Sequence, residues 1–214
     1  MPGKDQRGVV RALLDAHGRG YAEEAGIKLA DKPGPLYQLQ VLATLLSARI
    51  SAQIAVAAAR ELFAAGYRTP ARMLGASWQD RVDALGRGHY RRYDERTATL
   101  LGDAARLCQD RWRGDLRRLH AEGGADAKRL QRLLTEFPGI GPTGADIFLR
   151  EVQGVWPDIA PFADAKVLDG AKRLGLPTAA GDLAALAPAG QLPNLLSALV
   201  RVGRDRKAAE AIAG

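Results

Sequence analysis

The stretch from Glu136 to Arg150, EFPGIGPTGADIFLR, constrains the fold most, because two prolines interrupt helix formation within a few residues. Pro138 cannot continue a helix, and it disfavours helical angles in the residue before it. Pro142 suits the first position of a helix, since its φ is fixed and it has no N–H to satisfy. We therefore predict two helices joined by a tight Pro-Gly-Ile-Gly hairpin.

The glycines of this hairpin suit a particular kind of ligand. Gly139 and Gly141 permit positive φ and let another backbone come close. The first N–H groups of a helix have no acceptor within it, so its N-terminus favours anions such as a DNA phosphate. Gly139, Gly141, Thr143 and Gly144 are the predicted phosphate-contacting residues. A Pro-Gly-Ile-Gly turn with only a structural role is equally consistent with this segment alone.

Hydrophobic residues recur at helical spacing along the chain, and no stretch alternates convincingly at a period of two. Leu39, Leu42 and Leu45, for example, mark a strongly buried helix. Residues 18–35 read as a connector, and the last helix is predicted over 193–213. The sequence therefore predicts an all-α fold. Residues suited to cap the helices are Ser51, Thr69, Ser77 with Asp80, Asp126 and Asp164.

The charge of the chain is basic, with 31 Lys and Arg against 24 Asp and Glu, a net charge of +7. This balance favours a polyanionic partner, although many basic proteins have no nucleic-acid role. The single cysteine, Cys108, excludes an internal disulfide and an all-cysteine cluster, and the separated His17, His89 and His120 form no metal-ligand pattern. No apolar run approaches membrane-spanning length, so we expect a cytoplasmic protein without a membrane partner.

Several motifs occur together in a characteristic order. LLSARIS at 45–51 is followed by FPGIGPTGADIFL at 137–149, then by VWPDIAPFAD at 155–164 and a helix that Asp164 opens. These segments resemble the helix-hairpin-helix DNA glycosylase superfamily, and within it the endonuclease III-like branch. The resemblance covers roughly residues 35–175, with similar order and spacing.

The resemblance implies two helical domains with a DNA-binding cleft between them. One would be a six-helix barrel over residues 33–154 that ends in the helix-hairpin-helix. The other would be formed by residues 1–32 together with 155–214. Double-stranded DNA with a damaged or mismatched base would lie across the cleft, with the target nucleotide flipped out of the helix.

The chain also departs from the pattern of that superfamily. Thr143 stands where lyase-competent members have a lysine, and residues 194–214 lack the four cysteines of the iron–sulfur members. Arg49 replaces a glutamine, and the loop before Asp164 is about two residues longer than in the family. We therefore expect no iron–sulfur cluster and no efficient lyase activity.

Asp164 is the predicted catalytic residue. Cleavage of an N-glycosidic bond develops positive charge on the sugar, and a fixed carboxylate stabilises that charge and orients or deprotonates the attacking water. The alternative is that Asp164 only caps its helix. The two roles are compatible, because capping N–H groups would keep the carboxylate ionised and oriented.

Two further residues are candidates for a second catalytic role. Thr143 cannot form a Schiff base with an opened sugar, since that reaction requires an amine. Lys166, two residues beyond Asp164, is the nearest substitute amine. The favoured interpretation of Lys166 is nevertheless a solvated lysine or a phosphate contact in the first turn of a helix.

Other residues are candidates for DNA contacts. The resemblance places Arg49 where a side chain fills the gap left by a flipped base, with Ser51 close behind it. Tyr90 and Tyr93 are candidates for a base pocket, because aromatic rings stack on bases. The alternative for Arg49 is a surface arginine near the cleft. The alternative for Tyr90 and Tyr93 is a solvated corner of the chain with one tyrosine in the core.

The resemblance also implies a structural Na⁺ or K⁺ at the hairpin carbonyls of Phe137 and Gly139. We expect no other metal and no cofactor.

The sequence therefore predicts a monofunctional DNA glycosylase of base excision repair, monomeric and nucleoid-associated. The first alternative is a non-catalytic helix-hairpin-helix protein that recognises damaged or structured DNA. The second alternative, which is less favoured, is an abasic-site lyase that uses Lys166. The identity of the base stays open, because alkylated purines leave readily whereas uracil and oxidised bases need assistance, and no residue is assigned to that role.

Overall fold

The structure is a computed structural model that describes residues 5–213, with side chains from 5 to 212. Every regular element in that range is helical and no β-strand occurs there, which confirms the predicted all-α class. None of the helices in this part of the chain is long and apolar enough to cross a membrane.

A 3₁₀ turn forms over Pro157–Ile159. The α-helices are α1 Gln6–His17, α2 Tyr21–Glu24, α3 Pro33–Ser47, α4 Ala52–Ala64, α5 Pro70–Gly75, α6 Trp78–Arg87, α7 Asp94–Trp112, α8 Leu116–Gly123, α9 Ala127–Leu134, α10 Pro142–Val152, α11 Ala165–Arg173, α12 Ala180–Leu186, α13 Leu192–Arg204 and α14 Arg206–Ala213.

The predicted helix caps are confirmed. Ser77 Oγ accepts a hydrogen bond from Asp80 N at 3.0 Å, and Asp80 Oδ2 accepts one from Ser77 N at 2.9 Å, forming the predicted capping box. Asp126 Oδ1 accepts from Lys128 N at 2.9 Å and from Arg129 N at 3.2 Å. Such a cap contributes about 0.5–2 kcal/mol, so these side chains fix where α6 and α9 begin. The remaining predicted caps are Ser51 on α4, Thr69 on α5 and Asp164 on α11.

Two of the predicted boundaries are wrong. The helix predicted over 193–213 is interrupted at Asp205, whose Oδ1 accepts hydrogen bonds from Lys207 N at 2.9 Å and Ala208 N at 3.1 Å. This cap starts α14 as a separate helix. The connector predicted over 18–35 contains the short helix α2 and the start of α3, where Pro33 occupies an early helical position.

The chain forms two compact units. The first comprises residues up to Tyr21 and from Arg150 onward, and the second comprises Ala22–Leu149. The predicted domains, 33–154 and 1–32 with 155–214, stay predictions.

The unit of residues 22–149 is organised around α3, which packs against α4 and α8. Leu36, Leu39, Leu42 and Leu45 on this helix are fully buried. Each buried leucine contributes about 1.5–3 kcal/mol relative to an exposed one, so α3 supplies much of the core. Helix α7 packs against α5 and α6. Because α3 is enclosed by its neighbours, the residues at its C-terminal end are held in fixed positions.

The unit that contains both ends of the chain is organised around α13, which packs against α1, α11 and α14. Helices α11 and α13 approach closely at Gly170, where a Cβ would lie 2.1 Å from the carbonyl oxygen of Leu199. A glycine is therefore required there, and α13 fixes the position of α11.

Candidate functional site

Two glycines of the turn between α9 and α10 were predicted to permit positive φ, and one of them adopts it. Gly139 has φ +87°, and a Cβ there would lie 3.0 Å from Thr44 Cγ2. Gly141 has no positive φ, and a Cβ there would meet no described atom within 4 Å. At Gly144, a Cβ would lie 2.3 Å from Ser47 Oγ. The turn and the start of α10 are therefore packed closely against the C-terminal part of α3.

The backbone of this turn is held by hydrogen bonds. Ile140 N donates to the Phe137 carbonyl at 3.0 Å, and Ala145 N donates to the Gly141 carbonyl at 3.0 Å. The Phe137 carbonyl has a second lone pair, so it is still able to serve as a cation ligand together with Gly139. Among the described residues, no group of three or more His, Cys, Asp and Glu side chains is suited to a metal ion. The Na⁺ or K⁺ site at the turn stays a prediction.

A pocket of about 400 Å³ lies beside this turn, within the unit of residues 22–149. It brings together Arg49, the neighbouring Tyr90 and Tyr93, and Gly139, which come from three distant parts of the sequence. Its lining residues differ in exposure, with buried side chains forming the floor and exposed arginines forming the rim. The complete lining is Thr44, Ser47, Ala48, Arg49, Tyr90, Tyr93, Arg96, Thr97, Leu100 and Gly139.

The floor of the pocket carries hydroxyl groups. Thr97 Oγ1 donates to Tyr90 Oη at 3.4 Å, and both residues are buried. Thr44 Oγ1 donates to the Gln40 carbonyl at 3.1 Å and accepts from Gln40 Nε2 at 3.2 Å. Burial raises the pKa of Tyr90 despite the opposing effect of its hydrogen bond with Thr97, so its hydroxyl is protonated at neutral pH. The floor is therefore polar and uncharged.

The rim of the pocket carries positive charge. Arg49 and Arg96 are both exposed, and within residues 5–212 neither side chain forms a salt bridge or a hydrogen bond. The Arg92 guanidinium lies over the ring of Tyr93, with its carbon 5.2 Å from the ring centroid. Unpaired arginines at the mouth of a pocket are available to bind an anion.

Asp164 lies in the other compact unit and is only 8% exposed. Its Oδ1 accepts hydrogen bonds from Lys166 N at 2.8 Å and Val167 N at 3.2 Å, which confirms its capping role on α11. Its Oδ2 forms a buried ion pair with Nη1 of Arg150, which is 2% exposed. The carboxylate is therefore held in one orientation by two amides and one guanidinium. Its catalytic role stays a prediction.

The loop before Asp164 is clamped by Gln153. Gln153 Nε2 donates to the Phe162 carbonyl at 3.1 Å and to the Arg150 carbonyl at 3.1 Å, while its Oε1 accepts from Phe162 N at 3.0 Å. These bonds connect the C-terminal end of α10 to the last residues of the loop. The longer loop therefore still delivers Asp164 to a defined position at the start of α11.

The remaining predicted site residues are placed as follows. Ser51 is exposed, and its Oγ accepts a hydrogen bond from Ile54 N at 3.3 Å as the cap of α4. Thr143 is half-buried in the first turn of α10, and Lys166 is half-buried in the first turn of α11. Neither Thr143 nor Lys166 lines the pocket.

Several residues of the site were not predicted. Arg150 and Gln153 follow the apolar run IFL, and a charged residue so close to a buried helix face was the available signal. Thr44 interrupts a run of apolar residues in α3, which was a similar signal for a polar floor. Arg96 and Thr97 had no such signal, because they follow an ordinary helix start.

The chain matches no known family model. A comparison with curated proteins likewise finds no match. The resemblance to helix-hairpin-helix DNA glycosylases therefore rests on the quoted motifs alone.

Proposed function

We propose that this protein is a monofunctional DNA glycosylase, which flips a damaged or mismatched base out of double-stranded DNA and hydrolyses its N-glycosidic bond. The observation that carries the proposal is the pocket that unites Arg49, Tyr90, Tyr93 and Gly139. It is large enough for a nucleobase, its floor is polar, it contains aromatic rings, and its rim is cationic.

The grip on DNA is assigned to the turn between α9 and α10 and to the unpaired arginines. A helix N-terminus favours phosphate, and the exposed Gly141 leaves the backbone just before α10 without a side chain. Arg49 and Arg96 add charge at the rim of the pocket. Binding should weaken steeply with salt, since each phosphate contact releases a counterion.

Asp164 is assigned the catalytic carboxylate. A carboxylate offers about four acceptor positions on its two oxygens. Oδ1 uses two for the amides of Lys166 and Val167, and Oδ2 uses one for Arg150. One position on Oδ2 is left to accept a proton from the attacking water. The fixed negative charge would also stabilise the positive charge that develops on the sugar.

The absence of strand cleavage follows from Thr143. A hydroxyl group cannot form the Schiff base that precedes elimination at an abasic site. The expected product is therefore an intact strand with an abasic site. An amine-dependent lyase reaction through Lys166 is the competing chemistry.

A second candidate function is a non-catalytic protein that binds damaged or structured DNA. It is favoured by the ion pair of Asp164, because the charge of Arg150 offsets the negative charge that the sugar would need. In this case Asp164 would have only its structural role as the cap of α11.

The experiment that tests the proposal uses duplex oligonucleotides that each contain one lesion. Base release is measured directly, and strand cleavage is measured with and without alkali. A glycosylase without lyase activity gives base release and cleavage only after alkali. Binding without base release from any lesion supports the non-catalytic candidate, and a covalent complex trapped by borohydride on abasic DNA supports the lyase.

A further inference from the structure

Arg150 occupies a buried position near the end of α10 where an arginine is costly. Its side chain is 2% exposed, and its Nε has no hydrogen-bond partner among the described residues. A buried N–H group without a partner lowers stability, and apolar residues of similar volume often replace a buried ion pair without loss. Stability of the fold therefore does not account for an arginine here. Such a departure from local rules is expected at a functional site.

The backbone on both sides of Asp164 is fixed without the help of Arg150. Before Asp164, Gln153 Oε1 accepts a hydrogen bond from Phe162 N at 3.0 Å. After it, two amides in the first turn of α11 donate to Asp164 Oδ1 at 2.8 and 3.2 Å. Both amides bind the same oxygen. Arg150 therefore adds a contact to the other oxygen, Oδ2, and a positive charge beside the buried carboxylate.

We propose that Arg150 is a positioning residue, which fixes the direction of the remaining lone pair of Asp164 Oδ2 and compensates the buried charge of the carboxylate. This inference rests on the proposed glycosylase function, in which Asp164 orients the attacking water. Because its side chain is 2% exposed, Arg150 acts through Asp164 rather than as a catalytic group. All three residues of this arrangement, Arg150, Gln153 and Asp164, belong to the same compact unit.

The proposed role concerns the hydrolytic step and not the binding of DNA. A carboxylate that is already held by three contacts needs no reorganisation when the water is bound, and such preorganisation lowers the barrier. Loss of Arg150 should therefore slow base release while the affinity for DNA stays nearly unchanged. If Arg150 only masked the negative charge of Asp164, its loss would leave base release unchanged or make it faster.

The test measures base release and DNA affinity separately. Duplexes that each carry uracil, thymine opposite guanine, an oxidised pyrimidine or 3-methyladenine are screened with the unaltered protein, and the duplex with the fastest release is kept. Single-turnover release from it is measured at saturating protein, so that the rate does not depend on affinity. Affinity is measured with a duplex that carries a tetrahydrofuran abasic analogue, which has no base to lose.

Two substitutions of Arg150 probe the charge and the shape of the guanidinium. Arg150→Gln removes the charge and should lower the single-turnover rate about 100-fold, while the Kd stays within about threefold. Arg150→Lys keeps the charge but loses the planar fork, so the rate should fall only about three- to tenfold. Circular dichroism at the assay temperature shows whether each variant is folded.

Glu151→Gln is the matched control for the loss of a buried charge. Glu151 is the next residue of α10 and is 4% exposed. Its Oε1 accepts hydrogen bonds from Ser197 Oγ at 2.6 Å and from Tyr21 N at 3.3 Å. The substitution should lower stability, because it weakens these buried contacts, but should keep the rate of base release within roughly twofold.

The outcomes separate the inference from the proposed function. Release by folded Arg150→Gln that is unchanged, faster or equal to that of Glu151→Gln overturns the inference and leaves the glycosylase proposal in place. A loss of affinity as large as the loss of rate also overturns it. If Arg150→Gln does not fold, unchanged release by Arg150→Lys overturns the inference. Release of no base by the unaltered protein from any duplex overturns both the proposed function and the inference.

Discussion

Arg150 and Asp164 form a buried ion pair in which Nη1 of the guanidinium contacts Oδ2 of the carboxylate. The pair joins the last turn of α10 to the first residue before α11, across the loop that Gln153 clamps. Arg150 Nε is buried and has no hydrogen-bond partner among the described residues. The guanidinium is therefore held chiefly by Asp164. Each member of the pair depends on the other to compensate its buried charge.

This dependence predicts strong coupling in a double-mutant cycle. Arg150→Met and Asp164→Leu should each lower the free energy of unfolding by about 3–5 kcal/mol, because each leaves a buried charge without its partner. The double variant should lose much less than the sum of the two. Urea denaturation measures all three. The control pair is Arg87 with Glu61, which is half-exposed at 3.1 Å and should couple by about 0–1 kcal/mol. Additive losses at 150 and 164 would contradict this interpretation.

The close approach of α11 and α13 predicts a cost for Gly170→Ala. The added Cβ would meet the Leu199 carbonyl, so the helices must separate, and we expect a loss of about 1–3 kcal/mol in the free energy of unfolding. Gly86→Ala in α6 is the control, since a Cβ there meets no described atom within 4 Å. It should stabilise by about 0.4–1 kcal/mol through reduced entropy of the unfolded chain. Similar values for the two variants would show that the approach is not tight.

Substitutions at the two glycines of the turn should affect stability and DNA binding differently. Gly139→Ala should destabilise by about 1–2 kcal/mol, because it places a side chain at positive φ beside Thr44. Gly141→Ala should leave stability within about 0.5 kcal/mol. If Gly141 N–H contacts a phosphate as predicted, the same substitution should weaken DNA binding and lower its salt dependence. Fluorescence anisotropy at several salt concentrations measures this, and unchanged affinity would remove Gly141 from the binding surface.

The buried thiol of Cys108 predicts a pH dependence of stability. Burial raises its pKa from the usual value of 9.0 to about 12. The unfolded state therefore loses its thiol proton at lower pH than the folded state. The contribution of this group is fully present below pH 9 and falls between pH 9 and 12, with a slope of up to about 1.4 kcal/mol per pH unit. Urea unfolding from pH 8 to 10 should show this decline, and Cys108→Ala should reduce it. An unchanged slope in the variant would contradict the assignment.

The helices could be predicted largely from local chemistry. Caps such as Ser77 with Asp80 and Asp126 act within three residues, so their signal is contained in the sequence. The break at Asp205 was missed because apolar spacing continues across it, although the same Asp chemistry operates there.

The site was less predictable because it depends on contacts between distant residues. Tyr90 and Arg49 each had a weak local signal, but their meeting around one pocket requires residues of α3 and α7 to come together beside Gly139. The pairing of Arg150 with Asp164 depends on the path of a clamped loop. The capping role of Asp164 could be predicted from neighbouring residues, whereas its buried partner could not.

We propose that Asp164 catalyses hydrolysis of the glycosidic bond by water, and single-turnover base release by Asp164→Asn tests this role most directly. Asp126→Asn is the matched control, since Asp126 caps α9 through the same pair of amide contacts outside the proposed site. Both variants should bind lesion-containing duplex DNA with near-normal affinity. We predict that Asp164→Asn lowers the rate of base release by at least about 100-fold and that Asp126→Asn leaves it within roughly twofold. Unchanged release by Asp164→Asn, with the duplex still bound, would contradict the account.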